Sequence, residues 1–468
     1  MSFLTKIKSA LSLLKEALLG SEQSFTTGSI DRAIFLLSVP MIVEMGMEAL
    51  FAIVDVFYVS MLNDTNAIAV IGLTESMLTI IYSIAIGLSM GATAMVARRV
   101  GEKDIKAAEV AAVQALFVGL CLSIIISIVG GIFADDLLKL MGADEGVIAA
   151  GAGYTRWMFS GNVTIMLLFL INAIFRGAGD ASIAMRALIL ANGLNIILDP
   201  IFIFGWGIIP GYGVEGAAIA TNIGRGIGVT YQLYHLLKGK GLIKLHAQNL
   251  IIKWNIVWNL LKVSAGGTAQ FVIASASWIF LVRIVSNFGS SALAGYTIAI
   301  RVIVFAILPA WGMANAAATL VGQNLGANQP ERAEKSVWRT AFFNMIFLGL
   351  VTVLFFSMAD PILRMFTSDA AVLENGILCL QIVSLGYIFY AYGMVISQAF
   401  NGAGDTATPT VLNFFGFWTF QIPLAYALAI TFDYGPPGVY AAISIAESCI
   451  AIVAIILFKR GKWKLVKI

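Results

Sequence analysis

Three carboxylic acids interrupt an apolar stretch long enough to cross a bilayer. In LSVPMIVEMGMEALFAIVDVFYVS (37–60), Glu44, Glu48 and Asp55 stand at i, i+4 and i+11. At about 100° per residue they fall within roughly 40° of one another on a helix. An acid at bilayer depth costs about 2.5–3.5 kcal/mol on insertion scales. A stripe of three must therefore face a cavity, an ion or a partner group. The competing reading is a set of structural acids held by hydrogen bonds.

A second polar stripe runs through ILANGLNIILDPIFIFG (189–205), where Asn192, Asn195 and Asp199 sit at i, i+3 and i+7, on one face. Pro200 removes a backbone donor and frees the carbonyl of Ile196. A carboxylate, an amide oxygen and a free carbonyl are hard oxygen ligands of the kind that hold Na⁺. The same set could carry H⁺, because burial favours the neutral acid. Thr221 and Asn222 add polar groups in GAAIATNIG (216–224). Asn192 and Asn195 also fit plain helix–helix hydrogen bonding. Asp55, Asn195, Asp199 and Thr221 are the expected coupling-ion residues, with Na⁺ a candidate at the first three. Glu44, Glu48, Glu75, Asn192, Gln270 and Arg301 are expected around a substrate cavity. Arg225, Arg283 and Glu447 are buried charges without an assigned role.

The elements that must position these groups are membrane helices. Of 468 residues, 59% are hydrophobic and 12% charged, against about 25% charged in soluble chains. Apolar runs recur at about 33–60, 66–97, 108–133, 147–175, 182–205, 214–238, 256–286, 292–322, 334–358, 372–400, 408–431 and 437–459. Each supplies the roughly 20 residues that a spanning helix needs, and all exceed the alternating strands of a membrane barrel. The expected fold is an all-α polytopic membrane protein with twelve transmembrane helices. Lys and Arg concentrate in the even connections and the C-terminal segment, for example Arg98, Arg99, Lys103 and Lys106, then Arg176, then Lys238, Lys240, Lys244 and Lys253. Both termini are accordingly cytoplasmic; the 401–407 connection alone lacks the cation expected of it. The opening stretch FLTKIKSALSLLKEALLG reads as an amphipathic surface helix. Cys121, Cys379 and Cys449 have neither pairing nor metal spacing.

The chain repeats itself. FRGAGD (175–180) returns as FNGAGD (400–405), an offset of 225 that also pairs Gly101 with Gly326 and Gly213-Val214 with Gly438-Val439. Two pseudo-symmetric six-helix bundles follow, related by an axis along the membrane normal. The expected division is an N-terminal segment 1–28, a lobe 29–237, a cytoplasmic linker 238–255 and a lobe 256–468. The acids do not repeat: Asp55 corresponds to Phe280, Glu44 to Ala269 and Asp199 to Leu424. Symmetry builds the scaffold, and its breach points to an ion site in the N-terminal lobe.

There is no Walker A sequence, H-E-x-x-H or nucleophile elbow. The chain is read as no enzyme, with no cofactor and no nucleic-acid partner. What remains is gradient-driven transport of a small organic molecule against Na⁺ or H⁺, by a monomer in the plasma membrane. A flippase for a lipid-linked precursor is the alternative; it requires a cationic cleft, for which Arg156, Arg283 and Arg301 are candidates. A membrane-embedded enzyme using the Glu44, Glu48 and Asp55 acids lacks a nucleophile, a metal set and a catalytic domain.

In VPMIVEMGMEALFAIVDVFYVS, VARRVGEKD, RGAGD (176–180), LNIILDP (194–200) and GVEGAAIAT (213–221), the chain resembles the multidrug and toxic compound extrusion (MATE) family. The resemblance implies a twelve-helix antiporter that exports organic compounds, often cationic, in exchange for Na⁺ or H⁺. The DinF-like prokaryotic subgroup's first-span aspartate matches Asp55, its fifth-span pair matches Asn195 and Asp199, and its sixth-span threonine matches Thr221. The resemblance implies that these form a cation site. The seventh-span acid of NorM-like members is missing, with Gln270 nearby. Glu44 and Glu48 depart from the family pattern.

Overall fold

The computed structural model describes residues 3–20, 24–62, 64–239 and 241–468. Lys240 of the expected linker and positions 1–2 and 21–23 of the expected N-terminal segment lie outside the described residues. Twelve helical spans follow one another: α1 (Ile30–Ser60), α2 (Thr65–Gly101), α3 (Ile105–Ile132), α4 (Glu145–Ala178), α5 (Ala181–Phe204) and α6 (Val214–Lys238), then α7 (Trp254–Ser286), α8 (Ser290–Gly326), α9 (Pro330–Arg364), α10 (Ala370–Ser384 continued by Tyr387–Ala403), α11 (Ala407–Thr431) and α12 (Pro436–Lys459). Among the described residues, ten helices are long and apolar enough to cross a membrane, and α10 makes eleven. The twelfth, α6, is more polar because it carries Glu215, Arg225 and Lys238. It packs against α4 and α5, and its Thr221, Arg225 and Gln232 are buried there.

The loops start and stop these helices by local chemistry. Ser29, Asp64, Asp104, Asp144 and Asp369 accept backbone N–H groups at the starts of α1, α2, α3, α4 and α10. The two GAGD turns end α4 and α10 with a left-handed glycine, Gly179 at φ 93° and Gly404 at φ 88°. One repeated sequence thus makes one repeated turn. Departures from regular helix are less legible. The fourth span of each lobe is interrupted at Gly161 and at Leu385–Gly386, and α10 bends there by 59°. Two stretches of α11, Phe414–Gln421 and Ala427–Thr431, widen into π-helix.

The lobes meet through α2 on α7 and α1 on α8. Their cytoplasmic ends interlock reciprocally. A Cβ on Gly101 would lie 2.0 Å from the Gln323 carbonyl oxygen, and one on Gly326 would lie 2.0 Å from that of Arg98. Arg98 and Gln323 are themselves related by the 225-residue offset. The Arg98 guanidinium donates to the carbonyls of Ala403 and Val466 (both 3.1 Å), and the Gln323 amide donates to that of Gly177 (3.1 Å). The cation missing from the 401–407 connection is therefore supplied by the opposite lobe. Arg176, counted among the loop cations, instead turns into the lobe and pairs with Glu44.

The N-terminal helix Phe3–Leu19 docks through its last turn. Ala17 is buried, and Glu16 pairs with Arg32 at 2.6 Å, whereas Leu11, Leu14 and Leu19 stay exposed.

Candidate transport and coupling site

A cavity of about 470 Å³ lies between the lobes. Its floor is formed by Thr93, Arg176, Asn315 and Asn401, just above the interlocked cytoplasmic ends, so it faces outward. Glu48 and Asp55 from α1, Glu75 from α2, Arg176 from α4, and Thr221 and Arg225 from α6 bring charged and polar groups to its wall. From the C-terminal lobe come Phe271, Leu308, Trp311, Gln398 and Asn401. One wall is charged and the other is aromatic and amide-bearing.

Behind the charged wall, α5 and α6 close a tight polar group. The Asn195 amide donates to Asp199 Oδ1 at 3.0 Å and to Thr221 Oγ1 at 3.2 Å. The i, i+4 spacing of Asn195 and Asp199 makes the first bond, and the close packing of α5 on α6 makes the second. Asp199 and Asp55 lie close enough for their charges to act on each other. Asp199 Oδ2, Asn195 Oδ1 and Asp55 Oδ1 are all buried without a hydrogen-bond partner among the described residues. Three oxygen-bearing side chains of α5 and α6 are thus joined by hydrogen bonds, with Asp55 of α1 within their electrostatic reach and three acceptor atoms uncommitted. An isolated carboxylate pair in this setting is costly, and a cation or proton removes the cost.

The acids of α1 divide between two tasks. Glu48 and Asp55 share the field of Arg225. Glu44 does not line the cavity; it is buried and accepts from Arg176 (3.0 Å) and from the Asn172 amide (3.1 Å). Asn172 in turn accepts from the Gln232 amide, extending this network to α6. Asn192 also stays off the cavity wall and donates to the Met47 carbonyl at 2.9 Å, a bond between α5 and α1. Gln270 lies in the C-terminal lobe, donating to Asn401 at 3.0 Å and to the Thr406 carbonyl at 3.1 Å. Glu75 lines the cavity, whereas Arg301 lies beyond its lining, with its charge acting on Glu75.

Sequence reasoning missed the roles of Arg225 and Tyr82. The Arg225 guanidinium donates to the Tyr82 hydroxyl at 3.2 Å and sits 4.9 Å from the Phe51 ring centre. The signal was present: Arg225 follows Thr221 by four residues and so shares its face. Removing this counter-charge should cost stability, since buried acids depend on it. Arg225→Met is expected to lower stability by about 1–2 kcal/mol, less than the loss of a direct buried ion pair, since Arg225 bonds Tyr82 and acts on Glu48 and Asp55 through its field. Thermal unfolding of the solubilised protein should show the loss, and Arg225→Met combined with Glu48→Gln should recover part of it.

The MatE family model matches residues 40–201 and 268–427, one block in each lobe. The chain belongs to the MatE family. Family membership makes it a multi-pass transporter of the plasma membrane rather than an enzyme. It is similar to "Probable multidrug resistance protein NorM" of Thermotoga maritima, 27% identical over 93% of each chain. It is also similar to "Probable multidrug resistance protein YoeA" of Bacillus subtilis, 25% identical over 86% of this chain and 87% of that one. Among solved structures, the one described as the outward-facing conformation of a multidrug resistance MATE family transporter aligns with a TM-score of 0.89. That match is 28% identical and covers 95% of this chain and 98% of the other. The twelve helices and two lobes of this MatE chain follow that architecture.

Proposed function

We propose that this MatE transporter is a cation-coupled antiporter that exports amphiphilic organic cations by alternating access. The observation that carries the reading is the group Asp55, Asn195, Asp199 and Thr221, whose three uncommitted buried oxygens lie behind an outward-facing cavity. Oxygen donors of this hardness suit Na⁺, and the Asp199 carboxylate suits H⁺. Multidrug relatives support the cargo class, as does the mixed acidic and aromatic lining.

A cation entering beside Asp55 and Asp199 cancels charge on the N-terminal lobe. Organic cargo drawn to Glu48, Glu75 and Asp55 then meets a weaker field. Ion and cargo oppose each other electrostatically, as exchange requires. A ligand shifts a two-state equilibrium only by its difference in affinity for the two states. A charge bound in a partly desolvated site is worth a few kcal/mol, comparable to the bias that rocking two lobes needs.

The flippase alternative needs a cationic cleft. Arg156 pairs with Asp135 at the surface, and Arg283 and Arg301 lie outside the cavity lining. Of the two guanidinium groups that do line it, Arg176 is paired with Glu44, while Arg225 donates to Tyr82 and lies in the field of Glu48 and Asp55. This favours export of cations over capture of phosphates. Proteoliposomes loaded with a fluorescent organic cation, and given a Na⁺ gradient or a pH gradient separately, test the proposal. Efflux is expected under one gradient and not under a gradient-free control; efflux indifferent to both would overturn it.

A further inference from the structure

A second cavity of about 360 Å³ is lined almost entirely by the C-terminal lobe, with Met90 of α2 at its edge. It adjoins the central one, and the two share Met90, Phe271, Leu308, Trp311, Gln398 and Asn401. Glu447 of α12 reaches its wall, and the Tyr390 hydroxyl lies within its electrostatic reach. Glu447 stands mid-helix, 11 residues after Pro436 and 12 before Lys459, so each end is about 17 Å away at 1.5 Å per residue. It is therefore near the middle of the bilayer. Among the described residues, no Lys, Arg or His lines this cavity, and Glu447 is its only acid. Burial is the only influence found on the carboxylate, with no hydrogen-bond or ion-pair partner among the described residues.

This differs from every acid of the N-terminal lobe's cavity. Glu48 and Asp55 face Arg225, and Glu75 feels Arg301. Glu447 shares its cavity with aromatic rings instead: Trp278, Trp311, Phe271 and Phe417 line the same space. An unpaired carboxylate at bilayer depth is a functional group by default. Rings present their negative faces to a cation, with Trp the strongest partner. A carboxylate that shares its cavity with indoles and phenyls suits a delocalised organic cation better than a small hydrated ion, which finds only one strong ligand here. By the 225-residue offset, Glu447 stands where the N-terminal lobe has Asn222, next to Thr221 of the coupling group. The duplicated lobes thus carry an acid at this repeat position in one half and a neutral amide in the other.

We propose that the Glu447 cavity is a binding site for the cationic end of an aromatic organic substrate, separate from the coupling group. It rests on the organic-cation reading above and refines it. The cargo's charge would be held in the C-terminal lobe while the ion acts in the other lobe.

The test measures equilibrium binding of ethidium, and of uncharged Nile red, to the purified protein in lipid nanodiscs. Glu447→Gln is expected to weaken ethidium binding about tenfold and leave Nile red binding unchanged. Glu447→Asp, which keeps the charge, should stay within about threefold of wild type. If wild-type protein binds no ethidium, the organic-cation reading itself fails. If it binds ethidium and Glu447→Gln binds it equally well, or loses both probes equally, the Glu447 assignment alone is overturned. Should Glu447→Gln not fold, Trp278→Leu reads the same cavity. It must lower ethidium affinity severalfold, and unchanged affinity overturns the assignment.

Discussion

Asp199→Asn should abolish ion-driven efflux while leaving a folded, membrane-inserted protein. The substitution keeps size and shape, and the Asn195 amide can still donate to the new carbonyl oxygen as it does to Oδ1 at 3.0 Å. What disappears is the charge facing Asp55 and the uncommitted Oδ2. A neutral amide neither binds a proton near neutral pH nor repels Asp55, so the lobe behaves as if permanently loaded. Losing a cation contact worth a few kcal/mol in a buried site corresponds to about a hundredfold or more in coupled rate. Proteoliposome efflux under the active gradient is the measurement, with monodisperse elution as the folding control. Gradient-driven efflux at the wild-type rate would remove Asp199 from the coupling role.

Gly326→Val should force the lobes apart on the cytoplasmic side. Even a Cβ at this position would lie 2.0 Å from the Arg98 carbonyl oxygen and 2.9 Å from the Glu102 nitrogen. These are backbone atoms, which cannot rotate away as a side chain would. Overpacking typically costs about 1–3 kcal/mol, and two further methyl groups put Val at the upper end. That penalty falls only on the arrangement in which the lobes touch here. The outward-facing state therefore loses ground to the inward-facing one, and transport slows because one half of the cycle is disfavoured. A cysteine introduced at Asn401 on a cysteine-free background should become reactive to an impermeant thiol reagent from the cytoplasmic face. Gly101→Val should act alike, because the same contact recurs against Gln323. Unchanged labelling in both variants would show that this contact does not gate the cavity.

Much of the architecture was legible because bilayer length, cation placement and an internal offset are strong, redundant signals. The match of RGAGD to NGAGD announced the repeat, and the structure shows that both copies end their helix with a left-handed glycine. Periodicity put Asn195 and Asp199 on one face of α5, where they hydrogen-bond; Thr221 on α6 was expected beside them through the family resemblance, not from spacing. Periodicity could not separate Glu44 from Glu48. Both lie on one stripe, but a helix face can touch a cavity at one level and a packed neighbour at another. Arg176 and Asn172 on α4 meet it at the level of Glu44, and nothing within α1 encodes that. Arg225 was visible as a buried charge, but its partners Tyr82 and Phe51 are more than 140 residues away in sequence. Pairings of that range are set by tertiary packing. The π-helical turns of α11 flank Pro423, but a proline in an apolar run does not by itself say which irregularity the helix adopts.

The breaks in the fourth span of each lobe fall at Gly161 and Gly386, again 225 apart. In α4 the two pieces still run as one continuous span, whereas in α10 they diverge by 59°. A single molecule therefore displays one elbow in two settings. The inner half of α10, bearing Tyr390, Gln398 and Asn401, is thereby aimed away from the line of its outer half, whereas the two halves of α4 stay in register.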